Sequence, residues 1–313
     1  MEQLAVENVS QGLVFTDDIK TKAGKVFDLL DVNESTRAEY KLRIALFLDF
    51  ARDKEFNFNI FLEFKRYLAD RTDFGVSTKN KYLITARVFL KELNRCGLLP
   101  SDVTQNVKTF KQDRKHKREG LNEAEIKLLT EKIRQLPATP QNTRLKAILS
   151  LLALQGLRQI EVVRLNVQDV DFVGKTALVK GKGMDDKEII HLHLETVRAL
   201  KEYLQVNRVS DGVLFASKSN NSRNKRLTTR TLRKIVKETL KQLGIEKTTH
   251  GFRHYFTSAL IKAYKGDLLE VARYTRHKSL EMLQVYNDNI KLQADLPRFY
   301  EVFKEVVFDQ KMP

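Results

Sequence analysis

His250-Gly-Phe-Arg-His-Tyr-Phe256 is the stretch around which the rest of this chain is read. It opens a helix expected over residues 250 to 264, and it sets one guanidinium, Arg253, three residues after His250 and one before His254. The N-terminal end of a helix attracts anions. Downstream, the turn Tyr274-Thr-Arg-His-Lys-Ser279 carries His277, and Tyr286 follows nine residues later. Upstream, Gly156-Leu-Arg-Gln-Ile-Glu161 places Arg158 just past the glycine that ends a strongly apolar helix over 144 to 155. Between these lies Val179-Lys-Gly-Lys-Gly-Met-Asp-Asp-Lys-Glu188, with Lys182 held between two glycines of a hairpin turn.

The periodicity around these residues describes a mainly α chain with a small antiparallel sheet. Strands are expected at Val170 to Phe172, Thr176 to Val179 and Glu188 to Leu194, where the apolar period changes to two. Helices are expected over about 195 to 205, 228 to 243, 267 to 274, 279 to 286 and 296 to 308. Asn122 and Glu125 form a capping box that opens this half. Residues 35 to 97 form a separate helical bundle. Ile44, Phe47 and Leu48 share one helix face, Ile60, Phe61, Phe64 and Leu68 a second, and Tyr82, Ala86, Phe89, Leu90 and Leu93 a third. Ser77 reads as the N-cap of that third helix and Gly97 as its C′ residue, and a further helix is expected over about 18 to 30.

Between the halves, residues 108 to 120 lack apolar periodicity but carry Lys108, Lys111, Arg114, Lys115, Lys117 and Arg118. Such a run reads either as a solvated linker or as a strap that neutralises phosphates on its way across a duplex. The domains are therefore drawn as 1–107, a helical unit, 108–120, a basic linker, and 121–313, the unit that carries the candidate residues.

The chain has 313 residues, long enough for two cores at 42% hydrophobic content, and a formal charge of +16 from 56 Lys plus Arg against 40 Asp plus Glu. That excess favours a polyanion partner, most often nucleic acid. The single cysteine, Cys96, reads as a small core residue and suits a reducing cytoplasm. No apolar run approaches the roughly 20 residues that span a bilayer, so no membrane partner is expected.

Taken singly, each candidate has an ordinary alternative: a surface ion pair for Arg158, worth ~0–1 kcal/mol, a solvated turn for Lys182, polar packing for the histidines and the tyrosine. Together they form a set. Two guanidinium forks can neutralise a phosphate and hold the extra charge of five-coordinate phosphorus. Lys182 on a mobile hairpin can protonate a leaving 5′-oxygen, His277 can donate to a phosphate oxygen, and His250 can assist proton transfer at the nucleophile. The phenol of Tyr286, with an ordinary pKa near ~10, needs cationic neighbours to attack. These are the groups for cleaving a phosphodiester with no metal or other cofactor.

The joint pattern resembles the tyrosine recombinase, or phage integrase, family, and its separations are similar to those of the short Xer-type members. The pieces that carry the resemblance are Gly156-Leu-Arg158 with Glu161, the Lys182 hairpin, His250-Gly-Phe-Arg253-His254, and His277-Lys-Ser with Tyr286. The chain departs from it at Thr275-Arg276-His277, where family members commonly read Leu-Gly-His. The backbone there is expected to differ, with Arg276 adding a phosphate contact. Gly251 and Phe252 also replace a more usual apolar pair.

The resemblance implies a helical core-binding, DNA-binding domain over 1–107 joined to an α/β catalytic domain over 121–313, with Arg158, Lys182, His250, Arg253, His277 and Tyr286 as the catalytic residues. It implies attack by Tyr286 to give a 3′-phosphotyrosyl bond, strand exchange through a Holliday junction, and no need for ATP or metal. Its partners would be double-stranded DNA and other copies of the chain, four protomers on two duplexes. The apolar segment Leu296, Phe299, Tyr300, Val302, Phe303, Val306 and Val307 would dock on a neighbour or fold back on its own domain. The rival readings are a type IB topoisomerase and a DNA-binding accessory protein.

Overall fold

The computed structural model describes residues 13–14, 25–52, 54–112, 120–181, 183–218, 224–277 and 279–306. The chain divides into two compact units, Met1–Asp113 and Arg114–Pro313, and each has its own apolar core.

In the first unit three helices, α1 (Glu34–Ala51), α2 (Ile60–Asp70) and α3 (Val76–Arg95), bury the faces their spacing marks out. Phe27, Phe47, Phe61, Phe64 and Phe89 are all at most 1% exposed. Full burial of such a side chain is worth roughly 1.5–3 kcal/mol, so these rings account for much of what holds the bundle. Phe47 meets Phe64 edge-on at 5.0 Å, the geometry that the ring quadrupoles favour. Leu83, rather than Tyr82, is the fully buried residue at the start of the α3 stripe. Leu13–Val14 (β1) pairs antiparallel with Glu55–Phe56 (β2).

Three local expectations are corrected here. The N-cap of α3 is Gly75 and not Ser77, because the Gly75 carbonyl already accepts from the Thr78 and Lys79 N–H groups at 2.8 and 3.0 Å. Of the helix expected over 18–30, residues 18–24 lie outside the described residues, and in the rest Lys25 and Val26 lead into a 3-10 turn, Phe27–Leu29, that inserts Phe27 into the core. Cys96 is exposed and not a core residue, since it is the C-cap beyond the last buried turn. Gly97 ends the helix as expected, at φ 74°, with Leu98 N–H returning to the Leu93 carbonyl at 2.9 Å.

The start of the basic stretch is pinned to this unit. The Asn80 amide donates to the Phe110 carbonyl at 3.0 Å, and its oxygen accepts from the Phe110 N–H at 2.9 Å. Arg87 donates to the Val107 carbonyl. Lys108 and Lys111 are exposed beside these anchors, while Arg114, Lys115, Lys117 and Arg118 lie outside the described residues.

The second unit is built on α5 (Pro140–Leu154), whose Ala147, Ile148, Leu151 and Leu152 are fully buried. It starts four residues earlier than its apolar run because Thr139 caps it and Pro140 takes the first helical position, where a missing N–H costs nothing. α4 (Glu123–Arg134) opens with the expected capping box. A short α6 (Gln159–Arg164) leads to the sheet. Strands β3 (Val170–Asp171), β4 (Thr176–Lys180) and β5 (Lys187–His191) pair antiparallel in that order, with Thr176 opposite His191 and Lys180 opposite Lys187. Ala177, Val179 and Ile190 face the core, whereas Leu178 and Ile189 face out, as the two-residue period requires.

The remaining helices are α7 (Leu194–Asn207), α8 (Thr229–Lys241), α9 (Thr249–Ala263), α10 (Leu268–Thr275) and α11 (Leu280–Val302). The last is one helix where two were expected, and it runs through Pro297. Pro297 and Gln293 are both exposed, so water can satisfy the carbonyl that proline leaves without a donor. Among the described residues no helix is long and apolar enough to cross a membrane.

Candidate active site

α9 turns an unusual stripe inward. His250, Arg253, His254, Thr257 and Ile261 recur at helical spacing, and of these Arg253, His254, Thr257 and Ile261 are buried. Beside them Gly251 lies where the chain at Leu121 crosses the helix. A Cβ on Gly251 would meet the Leu121 side chain at 2.8 Å, and one on Gly120 would meet His254 Cβ at 2.6 Å. That close crossing is the physical reason for glycine where the family pattern carries a larger apolar residue.

Arg253 is 2% exposed and held by two loops at once. Its Nη1 donates to the Gly156 carbonyl at 2.7 Å and its Nη2 to the Thr275 carbonyl at 2.6 Å. Gly156 sits at φ +57°, and a Cβ there would come within 2.3 Å of the Phe256 ring. Both the conformation and the space therefore require glycine. Burial, and then the neighbouring Arg158 charge, pull the Arg253 pKa down to about 10, which leaves it a cation at neutral pH.

Arg158 stands extended at the start of α6 with its side chain 35% exposed, and its Nη1 donates to Glu161 at 2.9 Å. The other Glu161 oxygen accepts from the Arg158 backbone N–H at 2.7 Å and from Arg276 Nη2 at 2.8 Å. Glu161 is 1% exposed. Burial pushes its carboxyl up, but the Arg276 charge and the Arg158 N–H outweigh that and hold it below the usual carboxylate range. Arg276 adopts the left-handed conformation, φ 55° and ψ 41°, at the end of α10, which a non-glycine residue enters at about 1–2 kcal/mol. Its second nitrogen lies 3.9 Å from Glu188 on β5.

Tyr286, on the second turn of α11, is 7% exposed and packs in a small cluster with Ile261, Val271 and Leu283. Its hydroxyl is 2.5 Å from His254 Nδ1. Burial pushes the phenol up to about 12 against the opposing charges of Arg253 and Arg158, so at rest it keeps its proton. His250 packs edge to face on His254, with ring centres 4.6 Å apart. His277 lies 6.4 Å from the Tyr286 ring. Its Nδ1 is 2.8 Å from Thr275 Oγ1, and its Nε2 is 3.5 Å from Arg253 Nη2.

Residues 119–292, more than half of the chain, match the sequence pattern of the phage integrase family. The chain belongs to the phage integrase family. These tyrosine recombinases are DNA-cleaving and rejoining enzymes. The chain is 29% identical over 282 residues to tyrosine recombinase XerC of Roseiflexus sp. (strain RS-1), covering 86% of this chain and 88% of that one. It is 26% identical to XerC of Leptospira interrogans serovar Lai, covering 87% of both chains. In fold it is similar to XerH recombinase in a post-cleavage complex with a palindromic difH substrate, with a TM-score of 0.67 at 19% identity over 89% of this chain and 84% of that one.

Within this phage integrase family member, the structure gathers Arg158, Glu161, Arg253, His277 and Tyr286 around one site, with His250 one ring further out. Lys182 lies outside the described residues, and the Gly181 carbonyl just before it accepts from Arg164 Nη1 at 3.0 Å. Two expectations change. The backbone at Arg276 keeps the left-handed turn that glycine favours. The Arg276 guanidinium, in a side chain only 9% exposed, is turned onto Glu161, so in this structure it braces Arg158 where a phosphate contact was expected. Sequence reasoning missed Thr275, which serves Arg253 and His277 together, and used His254 only as part of a motif. The signal for His254 was present, since it falls on the same inward stripe as Arg253.

Proposed function

We propose that this protein is a site-specific DNA recombinase in which Tyr286 attacks the scissile phosphate of double-stranded DNA. The observation that carries this reading is the convergence of Tyr286, His277 and the doubly anchored Arg253 on one buried cluster, beside the more exposed Arg158. In the step itself the Tyr286 oxygen bonds to phosphorus and the bond to the 5′-oxygen breaks. Lys182 then supplies a proton to that 5′-oxygen, leaving a 3′-phosphotyrosyl link and a free 5′-hydroxyl. Arg158 and Arg253 neutralise the phosphate, His277 donates to one of its oxygens, and His250 assists proton movement at the nucleophile. Attack of a 5′-hydroxyl from a second duplex reverses the chemistry, exchanges strands and forms a Holliday junction.

Lys108, Lys111, Arg114, Lys115, Lys117 and Arg118 contact DNA phosphates in this reading, and four protomers assemble on two duplexes through the C-terminal segment. The support for DNA as substrate is the charge of +16, the family membership and the XerH–difH complex among the structures of similar fold.

The test is to incubate wild-type and Tyr286→Phe protein with sheared genomic DNA of the encoding organism, denature in SDS and sequence the protein-linked fragments. Wild-type-only adducts clustered at one short, roughly palindromic sequence are expected. Scattered adducts would indicate a topoisomerase, adducts surviving Tyr286→Phe another nucleophile, and DNA binding without adducts a non-catalytic binder.

A further inference from the structure

We infer that His254 is the group that takes the proton from Tyr286 when the phenol attacks phosphorus. The inference rests on the recombinase reading and deepens it by naming the nucleophile's immediate partner.

Three imidazoles stand near the phenol, and they stand differently. His254 is 6% exposed, and its Nδ1 is at hydrogen-bond distance from the Tyr286 oxygen, 2.5 Å. His277 has Nδ1 against Thr275 and Nε2 toward Arg253, which suits it to a phosphate oxygen. His250 is exposed and packs its ring edge to face with that of His254, at 88°. The order along this line is solvent-facing His250, buried His254, then the phenol. His250 and His254 are four residues apart on α9, so they share one helix face.

A phenol that keeps its proton at rest needs an acceptor already in place. The Oη–H bond breaks and the proton passes to Nδ1, making His254 an imidazolium. The freed oxygen pair forms the bond to phosphorus, and the leaving 5′-oxygen is protonated by Lys182. Rejoining returns both protons. This sequence requires neutral His254 to carry its resting hydrogen on Nε2, with Nδ1 as acceptor.

Among the described residues, the charged and titratable groups around the phenol–imidazole pair are His250 and Arg253 on α9, His277 from the turn before α11, and Arg158 from the start of α6, whose charge acts on the phenol. The Gly120–Leu121 segment that crosses α9 brings none. The phosphate arriving with DNA offsets the cations and so favours the transfer.

The experiment uses the DNA site found by adduct capture, cut as a nicked substrate that traps the adduct, and measures single-turnover adduct formation from about pH 5 to 9. Wild-type rates are expected to rise through the imidazole range. His254→Asn, which can accept a hydrogen bond but not a proton, is expected to be about 10²-fold slower and to lose that rise, while binding DNA within about twofold. His250→Asn, which removes only an assisting group one ring further out, is expected to be slower than wild type by less than His254→Asn and to keep the rise. A wild-type profile in His254→Asn, or loss of the rise in His250→Asn alone, would overturn the inference.

Nitrogen-15 NMR of the wild-type protein gives a check that needs no variant to fold. Hydrogen on His254 Nε2 supports the inference, and hydrogen on Nδ1 at rest overturns it. Failure of wild-type protein to form any adduct would sink the recombinase reading itself, whereas an active wild type with an unchanged His254→Asn profile would sink this inference alone.

Discussion

Each catalytic candidate among the described residues is held by a specific partner, and the partners rank the effects of substitution. Arg253 uses two backbone carbonyls 97 and 22 residues away in sequence, so Arg253→Ala leaves two buried acceptors unpaired as well as removing a cation. Single-turnover adduct assays on a captured site are expected to show it at least ~10²-fold slower, the scale for losing an electrostatic stabiliser. Glu161 gives a pH-dependent test. Its folded pKa is depressed, so its contribution to stability is present above its unfolded pKa, near ~4.3, and is lost as pH falls through the lower folded value. Arg276→Gly removes the cation that does most to lower that pKa, while relieving left-handed strain at position 276. Thermal unfolding should place the variant about 2 kcal/mol below wild type at pH 7, because one partner of a buried pair is lost. The gap should narrow below about pH 4 as the carboxylate is protonated. A gap constant with pH would mean that the Glu161–Arg276 pair is not its source. At this scale the sequence was informative about residue type: Arg158, Glu161, Arg253, His277 and Tyr286 all reach the site. It was silent on orientation, and Arg276 shows why. A long side chain in an αL turn can point to solvent or to a buried carboxylate, and Glu161 lies 115 residues away.

Helices and strands were legible wherever local patterns decide them. The capping box at Asn122, the glycine stop at Gly97 and the alternation along β4 are short-range effects, and all three stand as read. The misreadings fell mostly at helix ends and at a proline. Ser77 was displaced as a cap by the glycine two residues before it, and Pro297 failed to break α11 because that stretch is exposed to water. The continuous α11 has a functional consequence. Tyr286 lies near its start, while Phe299, Tyr300, Val302, Phe303 and Val306 near its end are all more than half exposed. Such a cluster of apolar side chains is suited to docking, and one continuous helix links it to Tyr286, the proposed nucleophile. Truncation after Ile290 is therefore expected to leave DNA binding intact while abolishing assembly of two duplexes in a gel-shift assay and reducing recombination by at least about tenfold, a coupling of at least ~1.4 kcal/mol. Unchanged recombination by the truncated protein would remove the terminal segment from that role.

The whole chain combines two independently cored units with a strongly basic balance, and its association with DNA should follow from charge. If the basic stretch contacts phosphates, the affinity for duplex should fall by several powers of ten between 50 and 200 mM salt, with a log–log slope of about −0.9 per phosphate neutralised. A flat salt response would contradict phosphate contact by these residues. By itself the sequence determined the charge, the ordered set of candidate residue types and most of the helical and strand segments. All of these are encoded in neighbours a few positions apart or in simple composition. Only the tertiary structure decided that His254 is the imidazole on the phenol, that Thr275 and Gly156 supply the carbonyls for Arg253, that Arg276 turns inward, and that Asn80 pins Phe110. Those pairs are separated by 22 to 115 residues. Their meeting depends on how helices and loops pack around a filled core, which no local periodicity specifies.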